Sequence, residues 1–290
     1  MSAVVSGLEA SSQSPTWHAA TRLLHNRSFL IGAGLVLAIA LMALFADALA
    51  PFDPLRNSFR TRLLAPDGRY WFGTDHFGRD ILSRVIFGAR ISLTIGILTA
   101  LLTGIAGTLI GATAGFFRPL DNPVMRLMDA LMAFPAILLA IAVAAVLGAS
   151  VTNVIIALAI ATTPHTARIV RASVLVVREQ EFVLAARALG ASETRLLFRH
   201  VLPNALGPLI VRLTYVFATA ILAEAALSFI GVGPPPPAPS FGSIIAQGRD
   251  FIAEAPWITI FPGLAIIISV LGLNLLGDGL RDVLDPRMRT

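Results

Sequence analysis

The chain of 290 residues is 56% hydrophobic and only 13% charged, whereas a soluble domain carries about a quarter charged residues. All 22 basic residues are arginine, and neither lysine nor cysteine occurs; disulfides, thiolate chemistry and a lysine-bearing phosphate loop are excluded. The pI near 11.0 does not signal nucleic acid, because the arginines are scattered between apolar runs, a pattern suited to anionic headgroups and membrane orientation.

Residues 1–28 read as a Ser-rich tail. The apolar run 29–50 is longer than a signal-peptide core of about 7–15 residues and lacks a small-residue cleavage site, so it reads as a retained span. Loop 51–90 is long. Its end places Phe77, Ile81, Leu82, Val85 and Ile86 on one face and Arg79, Asp80, Ser83 and Arg84 on the other, which predicts a helix along the interface, either as a plain connection or as a docking element. Further spans are predicted over 91–116, 124–148, 152–173, 205–230 and 257–278, each long enough to cross a hydrocarbon core. In the second, Gly107, Gly111 and Gly115 repeat every fourth residue and predict close helix packing. Pro135, Pro164, Pro208 and Pro262 mark bends or starts. Loop 231–256 opens on Gly231-Val-Gly-Pro-Pro-Pro-Pro237, a stiff extended exit, then offers Phe241, Ile244, Ile245, Phe251 and Ile252 for a short interfacial helix.

Helices are the economical choice for such spans, and the short alternating segments of a β-barrel do not appear. The fold class is all-α: a polytopic integral membrane protein with six transmembrane helices. Its organisation reads as a tail (1–28), a first helix with a long outer loop (29–90), a core (91–278) holding a polar hairpin (179–203), and a C-terminal tail (279–290). Six spans put both termini on one side, and roughly 13 arginines lie there against 8 opposite, with Arg212 inside a span; the bias favours cytoplasmic termini.

No metalloprotease, nucleophile-elbow or di-metal motif is present, and the five histidines lie far apart. No catalytic residue, metal site or cofactor is expected. Intramembrane polar groups point to a pathway or to interhelical pairing. His165 either lines a path or, with Thr162, Thr163 and Thr166, satisfies backbone groups freed by Pro164. Glu224 either lines a path or finds an interhelical partner; Arg212, twelve residues away, needs an interhelical partner of its own. Asp278, Arg281 and Asp282 read as boundary charges.

The hairpin is the most distinctive segment. A helix over about 179–189 begins with acidic residues suited to its dipole. Gly190 supplies the turn, Ser192 caps a second helix, and Pro203 breaks it at the membrane surface. Phe182, Ala185, Ala186 and Leu189 share one side, which makes either a surface-lying helix or a knob for a narrow cleft.

This segment resembles the cytoplasmic coupling motif of ABC-importer permeases: Ala185, Ala186, Gly190, Leu202 and Pro203 match in spacing, while Leu184 replaces a Glu and His200 an Ile. Glu181-Phe-Val-Leu-Ala-Ala-Arg187-Ala-Leu-Gly190 is similar to the peptide-importer version. Trp71-Phe-Gly-Thr-Asp-His-Phe-Gly-Arg-Asp80-Ile-Leu-Ser-Arg84, Ala223-Glu224-Ala-Ala-Leu-Ser-Phe-Ile-Gly-Val-Gly233 and Gly277-Asp278-Gly-Leu-Arg-Asp282-Val-Leu-Asp-Pro-Arg287 resemble the same family, the dipeptide/oligopeptide/nickel-type permeases, in their C-type subunit. The resemblance implies a type I importer permease (MetI-like) fold. It implies a homologous second permease, two ATPase subunits and an extracytoplasmic binding protein as partners, with lipid around them and no nucleic acid. It also implies a gate in the inner (plasma) membrane for peptides, or for nickel, glutathione or haem, with ATP hydrolysis in partner subunits. Glu181, Ala185, Ala186, Arg187, Gly190, Leu202 and Pro203 would couple to an ATPase. The reading of a different class is a self-sufficient secondary transporter or channel.

Overall fold

A computed structural model describes residues 23–284; of the tails read from the sequence, residues 1–22 and 285–290 lie outside the described residues. The elements are α1 (Arg27–Leu44), α2 (Ile81–Phe116), α3 (Arg118–Met132), α4 (Ala136–Leu147), α5 (Val151–Arg178), α6 (Glu181–Ala188), α7 (Gly207–Phe229), α8 (Phe241–Gly248) and α9 (Trp257–Leu284), with short helical turns between some of them. Among the described residues the extended pairing is a single bridge between Thr74 and Asp80. The all-α membrane architecture expected from the apolar runs is present: α1, α2, α5, α7 and α9 are each long and apolar enough to cross a bilayer.

The segment expected as a span over 124–148, with a bend or start at Pro135, is the pair α3 and α4, bent by 88° at their junction, which makes either one broken span or a re-entrant loop. Pro135 caps α4, and proline cannot continue the preceding ladder. α3 is amphipathic, and its Asp121 and Asp129 pair with Arg171 and Arg168 of α5 at 2.5 Å each; the pair therefore lies against α5 with its first half polar.

Side-chain caps set several starts. Asp80 accepts the Ser83 N–H at 2.7 Å ahead of α2, Ser150 accepts the Asn153 N–H at 3.0 Å ahead of α5, and Ser240 and Ser243 form a reciprocal capping box on α8. α2 is the mast of the bundle. Its predicted glycine stripe meets α5: a Cβ on Gly111 would stand 2.3 Å from the Ala167 carbonyl oxygen, and one on Gly107 would stand 2.7 Å from Thr166 Cγ2. Farther along, Gly96 faces Phe217 and Gly104 faces Leu213 of α7. α1 lies on α9 through Gly32, Gly272 and Gly279. Outward faces of α2 and α9 carry Ile97, Leu101, Ile105, Leu109, Leu264, Ile267 and Leu271, all exposed, as an apolar surrounding requires.

Two connections depart from the expected interfacial helices. Residues 77–86 are no separate element, because α2 starts at Ile81, ten residues before the predicted span, and Ile81, Ser83, Arg84, Val85 and Ile86 are buried in it. The apolar side packs with Ile244 and Ile258, and the polar side is neutralised within the protein. α8 is likewise inserted: Phe241, Ser243 and Ile244 are buried in a cluster with Ile81, Val85, Ile221 and Ile258.

Candidate functional site

At one end of the bundle α5 leads into α6, and the chain returns through Glu193–Arg195, a π-helical stretch Leu196–Val201 and a short turn Leu202–Ala205 into α7. Glu181 stands in the first turn of α6, where its charge suits the helix dipole. The end of α6 is a Schellman arrangement: the Ala191 N–H bonds the Ala186 carbonyl at 3.1 Å and the Gly190 N–H bonds the Arg187 carbonyl at 3.0 Å. Gly190 takes φ +83°, the left-handed conformation that glycine adopts without cost. Ser192 then caps the return, accepting the Arg195 N–H at 3.4 Å.

Pro203 does not end the helix as expected; the chain stays helical to Ala205. The preceding turns widen to π geometry, with the Leu202 N–H reaching the Leu197 carbonyl. In a regular α-helix the proline ring would meet the Arg199 carbonyl. Asn204 Nδ2 donates to the His200 carbonyl at 2.7 Å.

The hairpin is anchored on its inner side. Val183, Leu196, Leu197 and Val201 are buried with Ala112, Phe116, Val170 and Val174, and Ala186 and Leu202 pack against the edge of that cluster. Its outer side is open: Phe182, Leu184, Ala185, Arg187, Gly190 and Pro203 are exposed, and Leu189 is 89% exposed. Arg187 pairs with Glu193 at 3.3 Å, an exposed contact worth little. The seven residues predicted for coupling thus share one projection, with Ala186 and Leu202 at its base and the rest at its surface. Leu189, Phe198, Phe182 and Leu184 are its exposed large apolar side chains.

His165 and Glu224 are not brought together. Glu224 is completely buried and accepts from Ser228 Oγ and Ser240 Oγ at 2.7 Å each, with Ser92 Oγ at 3.4 Å. Ser92 Oγ also accepts the Phe241 N–H at 3.1 Å. Glu224 therefore has the expected interhelical partners, but they are hydroxyls that fasten α8 to α2 and α7. His165 is exposed on α5. The threonines beside it bond carbonyls one turn back, Thr162 to Leu158 and Thr163 to Ala159, and Thr162 also meets Thr103 of α2 at 2.7 Å; the Ile160 carbonyl that Pro164 frees is not among their acceptors. Among the described residues the interhelical partner expected for Arg212 is not found, and its buried Nε has no hydrogen-bond partner. Tyr215 bonds Asp278, and Asn26 bonds Asp282, so these boundary charges tie α1, α7 and α9 together.

The opposite end holds a polar centre that periodicity missed. Asp75 Oδ1 accepts the N–H groups of Phe77 at 2.8 Å and Arg79 at 3.0 Å. Asp75 Oδ2 accepts Arg79 Nε at 2.7 Å and the Arg84 guanidinium. Gln247 Oε1 of α8 accepts from both arginines, at 2.7 and 3.0 Å. Burial would push the Asp75 carboxyl up, but Arg84, Arg79 and the two backbone donors more than offset it and hold the group below its ordinary value. The Asp75/Arg79 spacing of four residues was the available signal.

Residues 104–290 match the family described as binding-protein-dependent transport system inner membrane component, and residues 14–66 match the N-terminal TM domain of oligopeptide transport permease C. A Brucella abortus protein named as a peptide transport system permease is 54% identical over 277 residues, spanning 96% of this chain and 94% of that protein. The dipeptide transport system permease protein DppC of Alkalihalophilus pseudofirmus is 44% identical over 278 residues, 96% of this chain and 91% of its own. The fold is shared with the solved MetNI methionine ABC transporter in an inward-facing form, with a TM-score of 0.59 and 20% identity over 70% of this chain and 97% of that one. The chain belongs to the binding-protein-dependent family of ABC-importer permeases, in its oligopeptide-type C branch.

Proposed function

We propose that this permease forms half of a translocation path for di- and oligopeptides released by an extracytoplasmic binding protein, the other half coming from a homologous second permease. α6 docks in a groove of one of two ATPase subunits, and closure of the ATPase pair rocks α5 and α7 against the rest of the bundle. Both termini and the hairpin face the cytoplasm; loop 51–80 and the segment before α8 face the binding protein. ATP is hydrolysed by the partners, and this chain acts as the gate.

The observation that carries the reading is the hairpin: a knob with Phe182, Leu184, Ala185 and Leu189 exposed, stiffened by the Gly190 turn and fixed by buried Val183, Leu196 and Val201. A contiguous apolar knob facing water is a partner surface, and its two roots run directly into two spans. Peptide as cargo is supported by the names of the relatives, and nickel, glutathione or haem are the alternatives.

Two substitutions test it in the complete importer. Leu189→Asp removes the knob's apolar tip, and Gly190→Pro demands φ near −65° where +83° is found. Each is expected to leave the permease in the membrane while ATP-driven uptake falls at least about tenfold, a loss of ~1.4 kcal/mol of coupling. Wild-type uptake in both would remove the coupling role. Accumulation of peptide by the purified permeases on an ion gradient, with no ATPase present, would instead establish the secondary-transporter reading.

A further inference from the structure

His165 on α5 and Arg212 on α7 stand at one height in the bundle. Thr166, the residue after His165, packs on Gly107 of α2, and Leu213, the residue after Arg212, packs on Gly104. Those glycines are three residues apart, about 4.5 Å along the helix axis. Arg212 and Arg168 are near enough for their charges to act on His165.

The cluster carries positive charge without enough acid to balance it. Arg168 is taken by Asp129 at 2.5 Å, and the next arginine, Arg171, is taken by Asp121. Arg212 has no ion pair among the described residues, and its Nε is buried with no hydrogen-bond acceptor. Arg212 lies five residues inside α7, about 7.5 Å beyond Gly207. An unpaired guanidinium at that depth is kept where it meets water or an anion, because lipid tails offer neither. Its planar fork fits a carboxylate with two parallel hydrogen bonds, and exposed His165 at the same height offers a further donor.

We infer that Arg212, assisted by His165, is a carboxylate subsite in the hairpin-side half of the path, which receives the anionic end of the transported molecule. The inference rests on the proposed function and deepens it. It makes Arg212 a residue that selects cargo by charge inside the permease, after the binding protein has let go. The phosphate of an anionic lipid offers the same chemistry from a second source.

The test uses the complete importer in liposomes of zwitterionic lipid, with a free-acid dipeptide and its C-terminal amide, each saturating the binding protein. Arg212→Gln is expected to slow ATP-driven uptake of the free acid about tenfold, the effect of losing one charged hydrogen bond. Uptake of the amide should change less than about twofold, and Arg212→Lys should retain most of the preference, since it keeps the charge. Loss of both cargoes by the same factor, or of neither, overturns the subsite. So does a defect that appears only when phosphatidylglycerol is added, which assigns the arginine to lipid phosphate. Absence of ATP-driven uptake in the wild-type importer overturns the function and this inference together, and it is distinguishable because it precedes any variant.

Discussion

Replacing Asp75 by Asn asks whether the centre beneath loop 51–80 holds the fold. The carboxylate and Arg84 are fully buried, and Arg79 is nearly so. Asp75 accepts four donors, two from backbone and two from guanidinium groups. An amide at this place turns one acceptor into a donor facing donors, and it leaves two buried guanidiniums to share Gln247 Oε1. Breaking a buried pair in this way costs about 3–5 kcal/mol, a large part of a typical stability of about 5–15 kcal/mol. The assay is denaturant unfolding of the purified permease in mild detergent, with Asp250→Asn as control; Asp250 meets Arg249 in an exposed pair worth at most about 1 kcal/mol. The pH dependence is also fixed by the site. Because the folded carboxyl titrates below its ordinary value, the stability from Asp75 is fully present above the unfolded pKa of about 3.9 and is lost only as pH falls through the lower folded value. The carboxyl itself therefore adds no pH dependence above about pH 5; any change of the gap there comes from His76, whose imidazole feels the Asp75 charge. A cost no larger than the Asp250→Asn control at about pH 8, where the histidine is neutral, would refute the assignment.

Gly111→Ala and Gly34→Ala should move stability in opposite directions. The first drives a methyl to 2.3 Å from the Ala167 carbonyl oxygen and 2.8 Å from Val170 Cβ, for a cost of about 1–3 kcal/mol. The second meets nothing within 4 Å and gains up to about 1 kcal/mol of helix propensity; equal signs in detergent unfolding would refute the packing role of the stripe. Glu224→Ala strands the Ser228 and Ser240 hydroxyls, which both donate to that carboxylate at 2.7 Å, and should cost about 1–3 kcal/mol. Its signature is faster amide exchange in α8 than in α5, and Glu224→Gln, which keeps an acceptor, should recover most of the protection. Uniform exchange across both helices would sink the fastening role.

The crossings were legible because a bilayer imposes one demand on every residue of a span, and a run of apolar side chains meets it visibly. The glycine stripe was legible for the same reason: spacing of four on one helix has few physical meanings, and close contact with α5 is the one realised. The hairpin turn could be read at Gly190 and Ser192, since a left-handed cap and a side-chain cap are local bonds between residues within five positions. Residues 77–86 misled because periodicity reports only that one face is polar, and it is silent on what neutralises that face. Here Arg84 turns inward to Asp75 and also donates to Gln247, 163 residues from it in sequence. Glu224 and Ser92 are 132 residues apart, and Ser92 alone on an apolar helix carries no mark of the carboxylate it faces. The long-range bonds are thus the part that sequence withheld, and they occur at both ends of the bundle. On the hairpin side Asn26 reaches Asp282 and Arg178 reaches the Gly115 carbonyl; at the other end Arg84 reaches Asp75 and Gln247. What differs is burial: Asp75, Arg84 and Glu224 are enclosed, whereas the Asn26–Asp282 bond is exposed. Water can satisfy an exposed group, but an enclosed charge must be matched inside the protein, so the bonds of the far end are the ones that dictate which distant segments meet.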